Sequence, residues 1–349
     1  MNDANNPPPL KIRSRTLNWL LKNLFNTWYN SLLTLICLCI IFIFGKNFLN
    51  WVFNQAQWTV VTTNLRLFLV GRYPVDLTWR IWTIVGIIIT LTGVTWGALT
   101  KRFLAQITSW LPLIWALSFP LVMWLIGGGF GLKPVGSDLW TGLLLTLILA
   151  IISIVLSFPL GIVLALGRQS DLPVVRIFSI IYIELIRGLP LIGILFIAQV
   201  MLPLFLPSDW RLDRVVRAIA GLTLFSAAYM AENVRGGLQA VPRGQTEAAK
   251  ALGLNPVLIT SLIVLPQALK VAIPSIVGQF IGLFKDTSLL AIFALLELTG
   301  IARSILAQPE FLGKYAEVYL FVGLIYWVFC YSMSLASRRL EKQLGVGQR

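Results

Sequence analysis

The chain has 349 residues, 57% hydrophobic and only 12% charged, with 28 lysines and arginines against 14 aspartates and glutamates, a formal net charge of +14. Several apolar runs reach the roughly 20 residues that cross a bilayer core, which describes an all-α, polytopic membrane protein and excludes a soluble globular domain. Histidine is absent, so imidazole general-base chemistry and histidine metal ligation are ruled out, and no G-x-x-x-x-G-K-[ST] loop is present to bind ATP.

The first 27 residues are polar, with Pro7, Pro8 and Pro9 followed by Lys11, Arg13, Arg15 and Lys22. They read as a disordered cytoplasmic tip leading into a retained anchor, without a cleavable secretory signal. About eight transmembrane helices follow. The first is expected from Ser31 to Val52, the second from Ile81 to Leu99, and the third from Trp110 to Leu125, bent by Pro112 and Pro120. The connection from Phe53 to Arg80 is the longest, and no catalytic constellation stands in it. A glycine-rich hinge from Gly127 to Gly131 precedes a fourth span from Trp140 to Leu166. Asp171 to Arg187 reads as an interfacial helix entering the membrane at Gly188-Leu189-Pro190, with Glu184 and Arg187 placed to pair on one face. The fifth span is expected from Leu189 to Leu206, the sixth from Val215 to Ala231, the seventh from Ile273 to Leu296 and the eighth from Val318 to Ala336. Cys37, Cys39 and Cys330 all fall inside apolar spans and read as small buried hydrophobes.

The basic residues cluster at the ends of apolar spans, where such charges orient membrane helices, so they imply a lipid bilayer and no nucleic acid. With the N-terminus inside, seventeen cations fall in inner segments and ten in outer ones. Both termini are therefore expected in the cytoplasm, along with the connection between the sixth and seventh spans. Arg217, near the outer end of the sixth span, reads as a snorkelling anchor.

That inner connection holds EAAKALGLNPVLITSLIVLP, from Glu247 to Pro266. Its residues favour a short helix begun at Pro242 or Thr246, with Glu247 in the first turn, Gly253 ending it and Pro256 discouraging its resumption. Ala248, Ala251 and Leu252 then form a small apolar ridge suited to a groove on a partner, while Glu247 and Lys250 stay wet. The fixed positions are Glu247, Ala248, Ala249, Gly253, Ile263, Leu265 and Pro266, spaced E-A-A, three residues, G, nine residues, I-x-L-P. Chance would produce this roughly once in 10⁸ starts. The spacing resembles the cytoplasmic signature of the permease subunits of ABC importers. ELIRGLPL, the stretch AAYMAENVRGGLQAVPRGQTEAAKALG from Ala227, and GQFIGLFKDTSLL from Gly278 resemble segments of the polar-amino-acid permeases. Asn233 departs from the apolar residue expected there, and either alters the gate or caps the helix end.

The resemblance implies three parts. Residues 1–27 would be the tip, 28–135 an N-terminal extension with three transmembrane helices, like that of general L-amino-acid systems, and 136–349 a five-helix ABC importer (type I) permease core. It implies an ATP-driven importer of polar or general L-amino acids in a bacterial inner membrane. Glu247, Ala248, Ala249, Leu252, Gly253, Ile263, Leu265 and Pro266 would couple it to a dimer of ATP-binding subunits. Those partners would carry ATP and Mg, with no cofactor and no catalysis on this chain. A second permease, related in preference to identical, and an external or periplasmic solute-binding protein complete the expected assembly.

Lys285 and Asp286 lie near the middle of the expected seventh span, where charge normally faces a protein interior or a wet path. At 100° per residue Gln279, Gly282, Asp286, Phe293 and Glu297 share one stripe, with Lys285 and Ser288 on a neighbouring face. Gln279, Lys285, Asp286, Ser288 and Glu297 are thus substrate-path candidates, the alternative for the charges being neutralisation by neighbouring helices. Glu184, Arg187, Glu232 and Arg235 are candidates for a gate or helix end. Other cargo, such as methionine, an opine or another small zwitterion, keeps the same class; an ion-coupled secondary transporter and a membrane-embedded enzyme are the other classes weighed.

Overall fold

The computed structural model describes residues 15–100, 109–207 and 209–345. Lys11, Arg13, Lys101, Arg102 and Arg349 of the charge count, and the Pro7 to Pro9 run, lie outside the described residues. The chain divides into two compact units, residues 1–58 and 59–349.

In the first unit, α1 (Arg15–Leu24) is helical where disorder was expected. Helix α2 (Trp28–Asn50) continues into a π turn, Trp51–Gln55, and apolar residues cover it all round. Cys37 and Cys39 lie exposed on it, against the expectation that they are buried.

The second unit begins with α3 (Thr59–Thr63) and α4 (Leu65–Val70), short helices inside what read as a loop. Packing holds them: fully buried Phe68 sets its ring edge against Phe321, with centroids 5.1 Å apart. A spanning helix, α5 (Thr78–Thr100), and a 17-residue apolar helix, α6 (Leu111–Gly127), follow. Pro112 opens α6, where its missing N–H costs nothing, so only Pro120 is internal. The glycine-rich segment is a hydrogen-bonded turn, with positive φ at Gly128, Gly129 and Gly131 and Gly129 paired to Leu132. The connection before α5 is pinned to what surrounds it. Tyr73 donates its hydroxyl to Ile126 O at 3.0 Å, and buried Arg80 donates to Lys133 O at 2.9 Å.

The remaining elements are α7 (Gly142–Arg168), α8 (Pro173–Gly188), α9 (Leu191–Phe205, with a π turn at Ile197–Met201), α10 (Arg214–Ala240), α11 (Arg243–Ala251), α12 (Leu265–Asp286), α13 (Leu298–Leu306) and α14 (Tyr315–Leu344). No strand is present among the described residues. Among the described residues six helices are long and apolar enough to span, and α8 with α9 forms a pair bent by 104° at Leu189-Pro190.

Helix α10 is the most enclosed span and organises the others. Small residues let backbones approach, the usual basis of helix packing in lipid. Gly161 of α7 sits against Met230 and Ala231, and Gly237 of α10 against the Ala268 carbonyl of α12. One apolar core joins α7 and α9 to the first half of α10, and a second joins α7 and α8 to its other half and α12. Arg217 does not snorkel; its guanidinium donates to Gln199 O in the π turn of α9.

The seventh span departs most from expectation. Helical structure runs from Pro256 to Phe293, but the α-helix ends at Asp286 and Thr287–Phe293 is 3₁₀. Ala294 then takes φ +54°, and α13 was not foreseen. Lys285 and Asp286 therefore close the helix and do not lie at its middle.

Candidate functional site

Helix α11 follows α10 after Pro242, its N-cap, so Glu247 is its fifth residue and lies outside the expected first turn. Gly253 adopts φ +76°, a left-handed conformation that ends the helix and disfavours any side chain there. Asn255 then caps a new turn by accepting from Leu258 N at 2.9 Å. Pro256 accordingly starts helical structure, where a continued break was expected.

The new turn widens into a π segment, Ile259–Val264, with Leu265 between it and Pro266. A proline there lacks an N–H and its ring crowds the preceding turn, and the wider coil relieves both problems. Gln267 Nε2 spans the junction, donating to Ile263 O at 2.9 Å and to Gln245 Oε1 of α11 at 3.3 Å. Ala249 is the buried residue of α11, which packs against the π segment, while Ile263 and Leu265 are half-buried and Pro266 exposed. Glu247, Ala248, Lys250 and Ala251 face outward, and Leu252 is 80% exposed. The result is a short helix bound through one alanine and one glutamine, presenting a smooth apolar ridge.

Five charges meet at the end of the bundle next to α11. Glu232 of α10 accepts from Arg235 at 2.7 Å and Arg168 of α7 at 3.2 Å, and pairs with Arg187 of α8 at 3.5 Å. Arg168 also pairs with Glu184 at 2.8 Å, and Arg187 lies over the Tyr229 ring. Glu184 and Arg187 therefore serve different partners, which corrects the expected pairing of the two. Arg168 was missed; no spacing along the sequence relates it to Glu232, 64 residues on. Asn233 neither caps nor joins this cluster: its amide donates to Ser275 O of α12 at 3.3 Å.

The expected path stripe is broken. Gln279, Gly282 and Asp286 do share a face of α12, and Gln279 donates to buried Ser226 of α10 at 3.4 Å. Lys285 is exposed, while Asp286 and Ser288 are half-buried. Glu297 leaves the stripe because the chain turns at Ala294. Fully buried, it caps α13 by accepting from Thr299 N at 2.9 Å and Gly300 N at 2.8 Å. Tyr326 also donates to it at 3.2 Å, and Thr146 lies 3.5 Å away.

Residues 157–346 match the family described as binding-protein-dependent transport system inner membrane component. The chain belongs to this family. The permease is 42% identical over 356 residues to the inner membrane amino-acid ABC transporter permease protein YhdY of Escherichia coli (strain K12), covering 96% of this chain and 95% of the relative. It is 38% identical to the glutamate/glutamine/aspartate/asparagine transport system permease protein BztC of Rhodobacter capsulatus, covering 83% of this chain and 79% of that one. Among solved structures, an amino acid ABC transporter crystallised with histidines is similar at 29% identity and a TM-score of 0.52, over 58% of this chain and 92% of that one. The likeness to YhdY extends well beyond residues 157–346, toward the N-terminus.

Proposed function

We propose that this permease subunit carries amino acids, of polar or broad class, through a bacterial inner membrane in an ATP-driven importer. The full-length likeness to amino-acid permeases supports the cargo. The observation that carries the mechanism is α11, whose exposed ridge is set against the π segment leading into α12. A dimer of ATP-binding subunits grips that ridge and holds ATP and Mg, and this chain performs no hydrolysis. Closure of the motor favours one placement of α11, and α12 relays it as a bias between inward-open and outward-open states. A second, related permease completes the path, an external solute-binding protein delivers cargo, and both termini lie in the cytoplasm.

Affinity purification of the chain from its own membrane in mild detergent tests this reading. An ATP-binding subunit should accompany it, together with a second permease; recovery of the chain without any ATP-binding subunit would remove the importer reading.

Gly253→Pro demands φ near −65° where the chain has +76°, at a cost of about 3 kcal/mol local to the helix end. That variant and Glu247→Arg, which changes a wet side chain, should insert normally and retain little ATP-driven uptake. Uptake at the wild-type rate in both would refute docking through α11.

Asp286→Asn keeps the shape of a half-buried side chain at the end of α12. Uptake into proteoliposomes should fall while cargo affinity of the solute-binding protein stays unchanged. Equal uptake of several amino acids by variant and wild type would make Asp286 structural.

A further inference from the structure

At the end of α10 away from α11, a cavity of about 340 Å³ opens between the start of α7, the start of α10 and the turn at Ala294. The 27 residues of α10 place it about 40 Å from the coupling helix, on the outer face in the orientation proposed above. Its volume lies at the small end of small-molecule sites, which run from about 300 to 1,000 Å³.

Four charged residues line it, and they divide into two kinds. Asp213 and Arg214 are committed to the scaffold: Asp213 caps α10 through Val215 N at 2.7 Å and accepts from Ser137, and Arg214 donates to the Phe293 carbonyl. Arg72 and Asp138, both exposed, are not so committed. Among the described residues neither side chain has a hydrogen-bond or ion-pair partner, although the Arg72 backbone N–H is fixed on Thr141 Oγ1 at 2.7 Å. The same wall contains Trp140, which packs its ring against the apolar residues behind the cavity.

We propose that this cavity is an outer subsite for a free zwitterionic α-amino acid. Arg72 receives the carboxylate, a geometry in which guanidinium forms paired charge-assisted hydrogen bonds. Asp138 receives the ammonium group. Arg72, Asp138 and Trp140 all lie before residue 157, outside the matched family region, so the subsite belongs to the extension and its junction with the core. The turn at Ala294–Leu296 forms its inner wall, and the 3₁₀ segment behind that turn leads back to Asp286.

This inference rests on the amino-acid reading, so its test needs separate readouts. The assembled transporter in nanodiscs, without solute-binding protein and without nucleotide, is dialysed against radiolabelled L-glutamine, with L-lactate and L-alaninamide as competitors lacking the ammonium and the carboxylate. Saturable glutamine binding is expected, with weak competition by either half-molecule and a loss of at least tenfold in affinity in both Arg72→Ala and Asp138→Asn. The Arg72 backbone latch does not use the side chain, so that variant retains its local fold. ATPase activity stimulated by the solute-binding protein, measured on the same preparation, reports the importer reading independently. With that stimulation intact, absence of glutamine binding, or binding unchanged in both variants and lost only in Asp286→Asn, overturns the subsite. So does a loss confined to solute-binding-protein association in Arg72→Ala, which would make the rim a docking surface.

Discussion

Gly237→Leu should prevent the chain from accumulating as a monodisperse species in detergent. A β-carbon at this position would fall inside contact distance of the Ala268 carbonyl and 3.1 Å from Ala272 Cβ, so α10 and α12 must separate to admit it. Overpacking a tight contact costs about 1–3 kcal/mol, and a clash with backbone falls at the upper end because no rotamer relieves it. The loss is compounded because helices in lipid associate through such close packing, without a hydrophobic drive between them. Gly236 provides the control, since nothing lies within 4 Å of a β-carbon built there. Gly236→Ala should be tolerated and should gain some helix propensity. Equal yield and thermal stability for Gly237→Leu and Gly236→Ala would show that the α10–α12 contact does not determine the fold.

The second large effect is expected from Glu232→Gln. The substitution keeps the shape but leaves Arg168, Arg187 and Arg235 converging without their shared carboxylate, whose side chain is only 15% exposed. Removing one member of a fully buried pair costs about 3–5 kcal/mol; here the arginines are partly solvated, and about 1–3 kcal/mol is expected. The cluster ties α7, α8 and α10 together at the end adjoining α11, so the variant chain should melt earlier, and a transporter assembled with it should hydrolyse ATP with weaker dependence on solute-binding protein. Adding Arg187→Gln removes one of the opposed cations and should recover part of the melting temperature. If Glu232→Gln matches wild type in both measurements, the cluster contributes neither stability nor gating.

What could be read along the chain was whatever is local. Pro242 to Gly253 carries its own start and stop, so a short isolated helix was evident before any packing was known, whereas the restart capped by Asn255 was read as a continued break. The charge cluster was legible only as separate residues, because Arg168, Arg187 and Glu232 meet through the arrangement of three helices. The end of the seventh span was misread for another reason. TSLLAIFALLEL has no glycine or proline to mark a break, and the chain turns at Ala294, a residue that rarely takes positive φ. What holds that turn is distant in sequence: Gly142 N donates to Leu296 O at 2.7 Å, and Tyr326 and Thr146 surround Glu297. Helices α3 and α4 were likewise hidden, since TVVTT is rich in β-branched residues and its helix depends on tertiary packing.

Helix α10 is both the most enclosed of the six spans and the least apolar of them. During synthesis this creates an ordering problem. Helix α7, far more apolar, can partition into lipid as it leaves the ribosome, whereas α10 arrives with Gln239, Glu232 and three arginines and finds only half of its eventual surroundings. Its contacts with α7 and α8 are available at once, but Ala268, Ala272 and Ile276 of α12 have not yet been made. The half-built bundle must therefore retain α10 beside α7 at the insertion machinery until α12 emerges, and the Gly161 contact with Met230 is the first close fit that can do so.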